Sequence, residues 1–297
     1  MRYRQKLIAV LSLSLVVALG CAGGNGAAET RDAADVADEP AQAGESEVDE
    51  TAAVCLRGEP FVATGPFEVD GAGEGDADEL RALRWQRHEG CERVVIDLVG
   101  EDGSNAYGPG QVMAEVLRDL GVVRVSLLDV RQVDANATEA SFGGDLARTA
   151  YSVWSPDGRW TYVDVHLADA AEARVTTLPE PARVVVDLRP GGSAVPPPAP
   201  SGDRVVVLEP RPGPASYPLT VTGYARTFEA NVVARIEQDG EEVFDDFTTA
   251  TAWADAWGHY TFEIPDGPSG GVVLHVGEHS ARDGAWQGVA VDLEMAP

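Results

Sequence analysis

The feature that most constrains this chain is a long succession of short β-branched runs, each bounded by Gly, Pro, Asp or Asn. They begin at Val54 and recur to the end of the chain, and no stretch carries the period of a long helix. Residues 161–167, TYVDVHL, show the two-residue period of a half-buried strand, with Tyr162, Asp164 and His166 on one face. The pattern predicts an all-β protein.

Residues 191–202 divide this β-rich region into two parts. They read GGSAVPPPAPSG, and Pro-rich segments of this kind form extended spacers. We therefore expect two β-sandwich domains, over 54–190 and 203–297. In the first, the related stretches ERVVIDL (92–98) and ARVVVDL (182–188) are near-continuous apolar runs, as expected for central strands. The second carries about seven short predicted strands, which is typical of an immunoglobulin-like sandwich.

The N-terminus has a different pattern. Three basic residues within the first six positions precede a short apolar run that ends in ALGC at 18–21. These features predict a secretory signal peptide over 1–20, because the run is shorter than the roughly 20 apolar residues of a membrane-spanning helix. The Cys at the cleavage point resembles the lipobox of bacterial lipoproteins. That resemblance implies a lipid on Cys21 and an extracytoplasmic, membrane-anchored protein. Ordinary secretion with cleavage after Gly20 is the alternative.

Composition limits the partners. The chain has a formal net charge of −27, so it is repelled by nucleic acid, which we exclude as a partner. Residues 21–53 carry Cys21 and then an acidic stretch with almost no large apolar side chain, which predicts a disordered tether. The other two cysteines are Cys55 and Cys91. Outside the cytoplasm, two cysteines in one domain usually pair, so we expect a disulfide.

Two families resemble the folded parts. The motifs YPLTVTGYARTFEANVV (217–233), GHYTFEI (258–264) and VGEHSARDG (276–284) resemble the immunoglobulin-like domain of bacterial spore germination. This resemblance implies an extracytoplasmic module, without implying a role in germination. The motifs CERVVIDL (91–98) and WTYVDVHL (160–167) resemble an AMIN-like domain, a β-sandwich of exported bacterial proteins. That resemblance implies envelope targeting and an association with peptidoglycan.

Aromatic residues near the C-terminus are candidates for ligand contact. Trp253, Trp257 and Tyr260 lie close together, and exposed aromatic faces stack on sugar rings or anchor a protein partner. The alternative is that Trp257 and Tyr260 fill the sandwich core, which leaves Trp253 as the better candidate for exposure.

Two groups of residues have side chains of catalytic or metal-binding type, but they lack the arrangement that catalysis or metal binding requires. His279, Ser280 and Asp283 are nearly adjacent, whereas triad groups converge from separate elements, so a local turn is expected there. His275 and His279 are four residues apart but lack the surrounding zinc motif. We therefore predict no catalytic residue, no metal and no cofactor.

The remaining alternative is a cryptic hydrolase that uses Asp97, Asp164 or Asp187. These carboxylates lie in or at the ends of predicted strands, where structural roles are expected. The sequence thus predicts a non-enzymatic envelope lipoprotein whose sandwiches bind cell-wall glycan or an envelope protein. A module that regulates a separately encoded wall-active enzyme, and a simply secreted protein, are the alternatives.

Overall fold

The computed structural model describes Cys55 and residues 60–69, 71–253 and 255–297. In these ranges the chain forms strands and four short 3-10 turns, with no α-helix, so the all-β prediction is confirmed. None of the helical turns in the described ranges is long and apolar enough to cross a membrane. The predicted signal peptide, Cys21 and the predicted tether lie outside the described residues.

The first part of the chain supplies eleven strands. They are β1 (Gly65–Phe67), β2 (Glu79–His88), β3 (Cys91–Val99), β4 (Val112–Leu117), β5 (Val122–Leu128), β6 (Gln132–Val133), β7 (Glu139–Ser141), β8 (Ala147–Trp154), β9 (Trp160–Leu167), β10 (Ala171–Leu178) and β11 (Arg183–Pro190).

The second part supplies eight strands. They are β12 (Val205–Glu209), β13 (Gly213–Ala215), β14 (Leu219–Ala225), β15 (Asn231–Gln238), β16 (Glu241–Thr249), β17 (Trp257–Ile264), β18 (Gly270–His279) and β19 (Trp286–Met295).

These strands form three sheets. One five-stranded sheet has the order β10-β11-β3-β2-β6, and another has the order β13-β19-β18-β15-β16. The third sheet has nine strands, in the order β1-β4-β5-β9-β8-β17-β14-β12 with β7 beside β8. Because the nine-stranded sheet contains strands from both parts of the chain, it contributes one layer to each of two sandwiches. We refer to them as the first and the second sandwich.

The first sandwich is held by apolar side chains that alternate along its strands. Val94 and Ile96 of β3 are fully buried, as are Val163 and Val165 of β9 in the facing sheet, and all belong to one hydrophobic cluster. Burying each such side chain contributes about 1.5–3 kcal/mol. The predicted central position of the two related stretches is confirmed, since β3 and β11 are neighbours inside the five-stranded sheet.

The second sandwich has a core of its own. Ile236 of β15, Leu274 of β18 and Val291 of β19 are fully buried against Val221 of β14 and Tyr260 of β17. Outward positions on these strands are polar or partly exposed, so β15, β18 and β19 follow the two-residue period from which they were predicted.

A direct strand contact joins the two sandwiches. In the nine-stranded sheet β8 runs parallel to β17, with Val153 opposite Trp257 and Trp154 opposite Gly258. The Thr251 hydroxyl donates to the carbonyl of Trp154 at 2.9 Å. The Pro-rich segment is bonded to β12 of the same sheet, since Val207 donates its backbone N–H to the carbonyl of Pro200. The described residues accordingly form one compact unit.

Residues 161–167 form the predicted strand, within β9, but the expectation that this strand is half-buried is wrong. Both faces of β9 are covered: Asp164 is fully buried and His166 is 7 % exposed, although both lie on the polar face. Tyr224 of the second sandwich reaches Asp164, so the face that reads as solvent-exposed packs against the other sandwich. This junction between the two sandwiches contains several buried aromatic and polar side chains.

Candidate functional site

A small aromatic core fills the junction. Tyr151 of β8, Tyr224 of β14 and Trp257 of β17 are buried together. Tyr151 meets Trp257 edge-on, with ring centroids 5.3 Å apart, and lies 5.8 Å from the ring of Tyr224. Such aromatic pairs are worth about 0.5–1.5 kcal/mol each beyond the area that they bury. Trp257 therefore fixes the junction and presents no surface to a ligand.

Tyr260, the second predicted contact residue, is also buried. It is 1 % exposed, and its hydroxyl donates to the carbonyl of Val206 at 3.2 Å. Burial raises its pKa. Trp253, in contrast, is 58 % exposed in the loop before β17. The ligand-contact prediction thus continues to apply only to Trp253.

One carboxylate ties the polar groups of the junction together. Asp164 accepts hydrogen bonds from Arg124 Nε and Nη2 at 2.8 and 2.6 Å, and from the hydroxyl of Tyr224. Burial alone would raise the pKa of Asp164, but the Arg124 charge and these hydrogen bonds outweigh it, so the pKa is lowered. Burial, with the Asp164 charge, raises the pKa of Tyr224 well above its ordinary value. Asp164 is ionised and Tyr224 neutral at pH 7.

His166 lies next to this network in a neutral state. Burial lowers its pKa to about 4; the Asp164 charge opposes this shift, while Arg211, Arg124 and Arg148 add to it. Its ring packs edge-on against an aromatic neighbour at 5.1 Å. Its Nε2 atom is buried and has no hydrogen-bond partner among the described residues.

The other two carboxylates of the hydrolase alternative form ion pairs with arginines. Asp187 accepts from Arg93 and Arg174, each at 2.6 Å, and Asp97 accepts from Arg84 Nη2 at 2.7 Å. The antiparallel register sets Arg93 opposite Asp187, so the Arg and Asp of the two related stretches meet across the sheet. All three carboxylates of the hydrolase alternative are therefore engaged in ion pairs.

A groove opens at the surface beside the junction core, and we call it the junction groove. Its volume is about 690 Å³. The first sandwich contributes one wall and the second contributes the polar and aromatic side chains. The lining residues are Ala135, Thr138, Asp203, Arg204, Arg226, Asp255, Trp286, Gln287 and Gly288.

Arg226 lines the junction groove and is fixed by contacts with both sandwiches. Its guanidinium lies 4.5 Å from the ring of Trp257, and its Nε donates to the carbonyl of Asp203 at 2.6 Å. Its Nη2 is 3.4 Å from the carboxylate of Glu139, which belongs to β7 of the first sandwich. A cation over an aromatic face and an ion pair across the boundary together fix the arginine in place.

Trp286 is the aromatic residue of the junction groove, and our sequence reasoning did not single it out. It begins β19, and its ring lies 4.0 Å from the guanidinium of Arg235 and 5.2 Å, edge-on, from His279. The alternation along β19 could have indicated the position of Trp286. Val291 and Leu293 are buried on the inner face, and Trp286, an odd number of residues away from each, lies on the outer face. That face is where a half-exposed aromatic ring can meet a ligand.

The histidines and the predicted triad types have local roles. His275 lies 3.4 Å from Glu237, and His279 Nδ1 is 3.1 Å from the carbonyl of Gly284. The turn predicted after them is confirmed, since Ser280 Oγ and Asp283 Oδ1 accept backbone hydrogen bonds within it. In the described ranges no cluster of three or more His, Cys, Asp or Glu residues could hold a metal ion.

The predicted disulfide is confirmed. Cys55 is bonded to Cys91, the first residue of β3, and both are buried. Arg174 Nη2 donates to the carbonyl of Cys55 at 3.1 Å. The bond therefore attaches the N-terminal end of the first sandwich to a central strand.

Comparison with known proteins identifies one part of the chain. No curated protein and no solved structure matches it. Residues 204–285 match a family model described as the immunoglobulin-like domain of bacterial spore germination, and this range contains β12 to β18. The predicted immunoglobulin-like sandwich is confirmed over these residues, and the match supports a non-catalytic binding module. The second sandwich is thus similar to the immunoglobulin-like domains of bacterial spore germination.

Proposed function

We propose that this protein is an extracytoplasmic lipoprotein that binds cell-wall glycan at the junction groove and catalyses no reaction. The observation that supports this most directly is the composition of the groove. It combines the ring of Trp286 with two carboxylates, two guanidinium groups and the amide of Gln287. A sugar ring offers an apolar face and several hydroxyl groups, and this set of side chains complements both.

The carboxylates of the groove are available to a ligand. Asp203 and Asp255 are exposed and form no ion pair with any described residue. Each can accept hydrogen bonds from sugar hydroxyls, while Gln287 both donates and accepts. Hydroxyl groups also donate and accept, so the hydroxyls of a glycan complement this mixed set of donors and acceptors.

The groove is held in shape before a ligand arrives. Arg235 and His279 pack on Trp286, and Arg226 is fixed by Trp257 and by its ion pair across the boundary. Binding to preorganised side chains loses less conformational entropy, which strengthens affinity. The strand pairing between β8 and β17 keeps the walls of the groove together.

The first sandwich supports the choice of ligand. Residues 54–192 resemble AMIN-like domains, which are associated with peptidoglycan, although the stretch 129–148, which supplies Ala135 and Thr138 to the groove, carries none of this resemblance. The absence of a reaction is supported by Asp97, Asp164 and Asp187, whose carboxylates are all paired with arginine. A general acid or base needs a carboxyl group that can reach its substrate.

Lipidation at Cys21 would fix the protein at the membrane surface. Replacing Cys21→Ser should move the protein from the membrane fraction to the soluble fraction or the medium. Retention of both forms in the membrane fraction would count against a lipid anchor. If the unchanged protein already appears in the medium, cleavage as an ordinary secretory signal is correct.

Glycan binding is tested by co-sedimentation of the full chain carrying Cys21→Ser with insoluble peptidoglycan over a range of salt concentrations. We expect the protein to pellet, with little dependence on salt because the groove is not dominated by one charge. Failure to pellet at every salt concentration would refute the proposal. Release of soluble muropeptides would refute the non-enzymatic assignment, and pelleting only with an added wall enzyme would favour the accessory-module alternative.

A further inference from the structure

A second cavity is also lined by residues of both sandwiches, and we call it the proline cavity. It has a volume of about 130 Å³. Three consecutive prolines, 196–198, form one wall, and strands of both sandwiches form the rest. The polar residues that line it are Arg148, Thr149, Tyr151, His166, Ser201 and Arg211. None of these belongs to the junction groove.

The charge of this cavity is opposite to that of the chain. Arg148 and Arg211 line it, and no carboxylate does, although the chain has a net charge of −27. Neither arginine forms an ion pair with a described residue, whereas Arg124 and Arg226 of the junction each have a carboxylate partner. Two unpaired guanidinium groups beside one cavity are a local excess of positive charge.

Arg211 is anchored at one end and unpartnered at the other. Its Nη2 donates to the carbonyl of Leu120 at 2.7 Å, while its Nε and Nη1 are buried without a hydrogen-bond partner. Burial lowers its pKa, and the charge of Glu209, which forms no ion pair with it, only partly opposes this shift. A buried charge is costly unless it is paired, so these N–H groups require an acceptor.

His166 provides a third unpartnered group. It is more than nine-tenths buried, lines the proline cavity, and its Nε2 atom has no partner among the described residues. The hydroxyls of Thr149 and Ser201 are further polar groups of the lining. Guanidinium N–H groups with nearby hydroxyl and imidazole groups are the set that recognises carboxylate and phosphate oxygens.

The volume limits the ligand to a small molecule. A cavity of about 150 Å³ can hold benzene, and a single water needs only about 10–15 Å³. Waters could satisfy the hydrogen bonds of the proline cavity, but they carry no negative charge to pair with Arg211. A small anion would do both.

We propose that the proline cavity binds a small oxyanion, either a carboxylate or a phosphate, with the buried Nε and Nη1 of Arg211 as the anchor and the exposed Arg148 at the mouth. The bound anion would connect the Pro-rich segment to both sandwiches. This proposal is independent of glycan binding, which involves a different set of residues.

Calorimetric titration tests the proposal. The full chain carrying Cys21→Ser is titrated with sodium acetate, sodium lactate and sodium phosphate at constant ionic strength set with sodium chloride. We expect saturable binding of at least one of these anions. Binding of acetate or lactate alone identifies a carboxylate site, and binding of phosphate alone identifies a phosphate site.

Variants place the site. Arg211→Met and Arg148→Met should each weaken binding at least tenfold, whereas Arg159→Met, which removes an exposed arginine from a hairpin turn, should leave it unchanged. Since Arg148 is exposed, Arg148→Met keeps the test valid if Arg211→Met fails to fold. Absence of saturable binding by all three anions would overturn the proposal, as would equal weakening by Arg159→Met and Arg148→Met.

Discussion

The hydroxyl of Tyr224, on β14 of the second sandwich, donates a hydrogen bond to the carboxylate of Asp164, on β9 of the first. Both residues are fully buried, and the charge of Asp164 is balanced by Arg124. Separating the sandwiches would expose this ion pair and the aromatic core around it. The two sandwiches are therefore joined by specific chemistry as well as by the parallel contact of β8 with β17.

Replacing Tyr224→Phe removes this hydrogen bond while keeping the ring. We expect the free energy of unfolding to fall by about 1.5–3 kcal/mol, the usual range for a hydrogen bond to a charged group. Tyr107→Phe is the matched control, because Tyr107 is 50 % exposed, and its change should stay within about 0.5 kcal/mol. Denaturant unfolding measures both; equal effects would show that the hydroxyl of Tyr224 does not stabilise the junction.

Removing Arg124 should be more damaging than removing an exposed arginine. Arg124→Met leaves Asp164 buried without its counter-ion, which costs about 3–5 kcal/mol. Arg84→Met breaks the ion pair with Asp97, in which Arg84 is largely exposed, and should cost at most about 1 kcal/mol. Thermal and denaturant unfolding of the two variants provide the comparison. A cost for Arg124→Met as small as that for Arg84→Met would contradict the structural role of the pair.

The junction should weaken in mild acid. His166 has a folded-state pKa of about 4, below its ordinary value of 6.5. As the pH falls, the unfolded chain binds a proton that the folded chain does not, so stability is lost between about pH 6.5 and pH 4. The loss is on the order of 3 kcal/mol for this group. His166→Gln should flatten the pH dependence of unfolding over that window, and identical slopes for the two proteins would contradict this assignment.

The disulfide should contribute strongly to the first sandwich. Cys55 and Cys91 are 36 residues apart in sequence, and a loop of this length corresponds to about 3–4 kcal/mol in the chain-entropy model. Replacing both by Ser should lower the free energy of unfolding by about that amount. Intact mass under denaturing conditions should rise by the mass of two hydrogen atoms on reduction, one for each thiol that forms. A mass that does not change would mean that the thiols are free.

Strand positions were predictable because they depend on local alternation. In β15 and β18, apolar side chains recur at every second position and are buried; the strand predicted over 230–238 closely matches β15, whereas the one predicted over 272–275 covers only the middle of β18. The short strand β6 was missed, since its two residues, Gln132 and Val133, give no readable period. The 3-10 turn that follows β4, over Arg118–Leu120, is likewise too short to give a readable period.

Long-range burial was not predictable in this way. Tyr162, Asp164 and His166 form an alternating polar face, which by itself indicates solvent exposure. That face is covered by Tyr224, which lies 60 residues beyond Asp164, and no local pattern encodes such a contact. The junction groove was missed for the same reason, since Trp286 and Thr138 come from distant parts of the chain.

The most direct test of the account compares two aromatic variants in the peptidoglycan assay. Trp286→Ala removes the ring of the junction groove, and Phe247→Ala removes a ring that is 64 % exposed on β16, outside the groove. We predict that Trp286→Ala weakens pelleting at least tenfold, equivalent to about 1.4 kcal/mol, while Phe247→Ala pellets like the unchanged protein. Equal pelleting by the two variants would contradict the assignment of the junction groove as the glycan site.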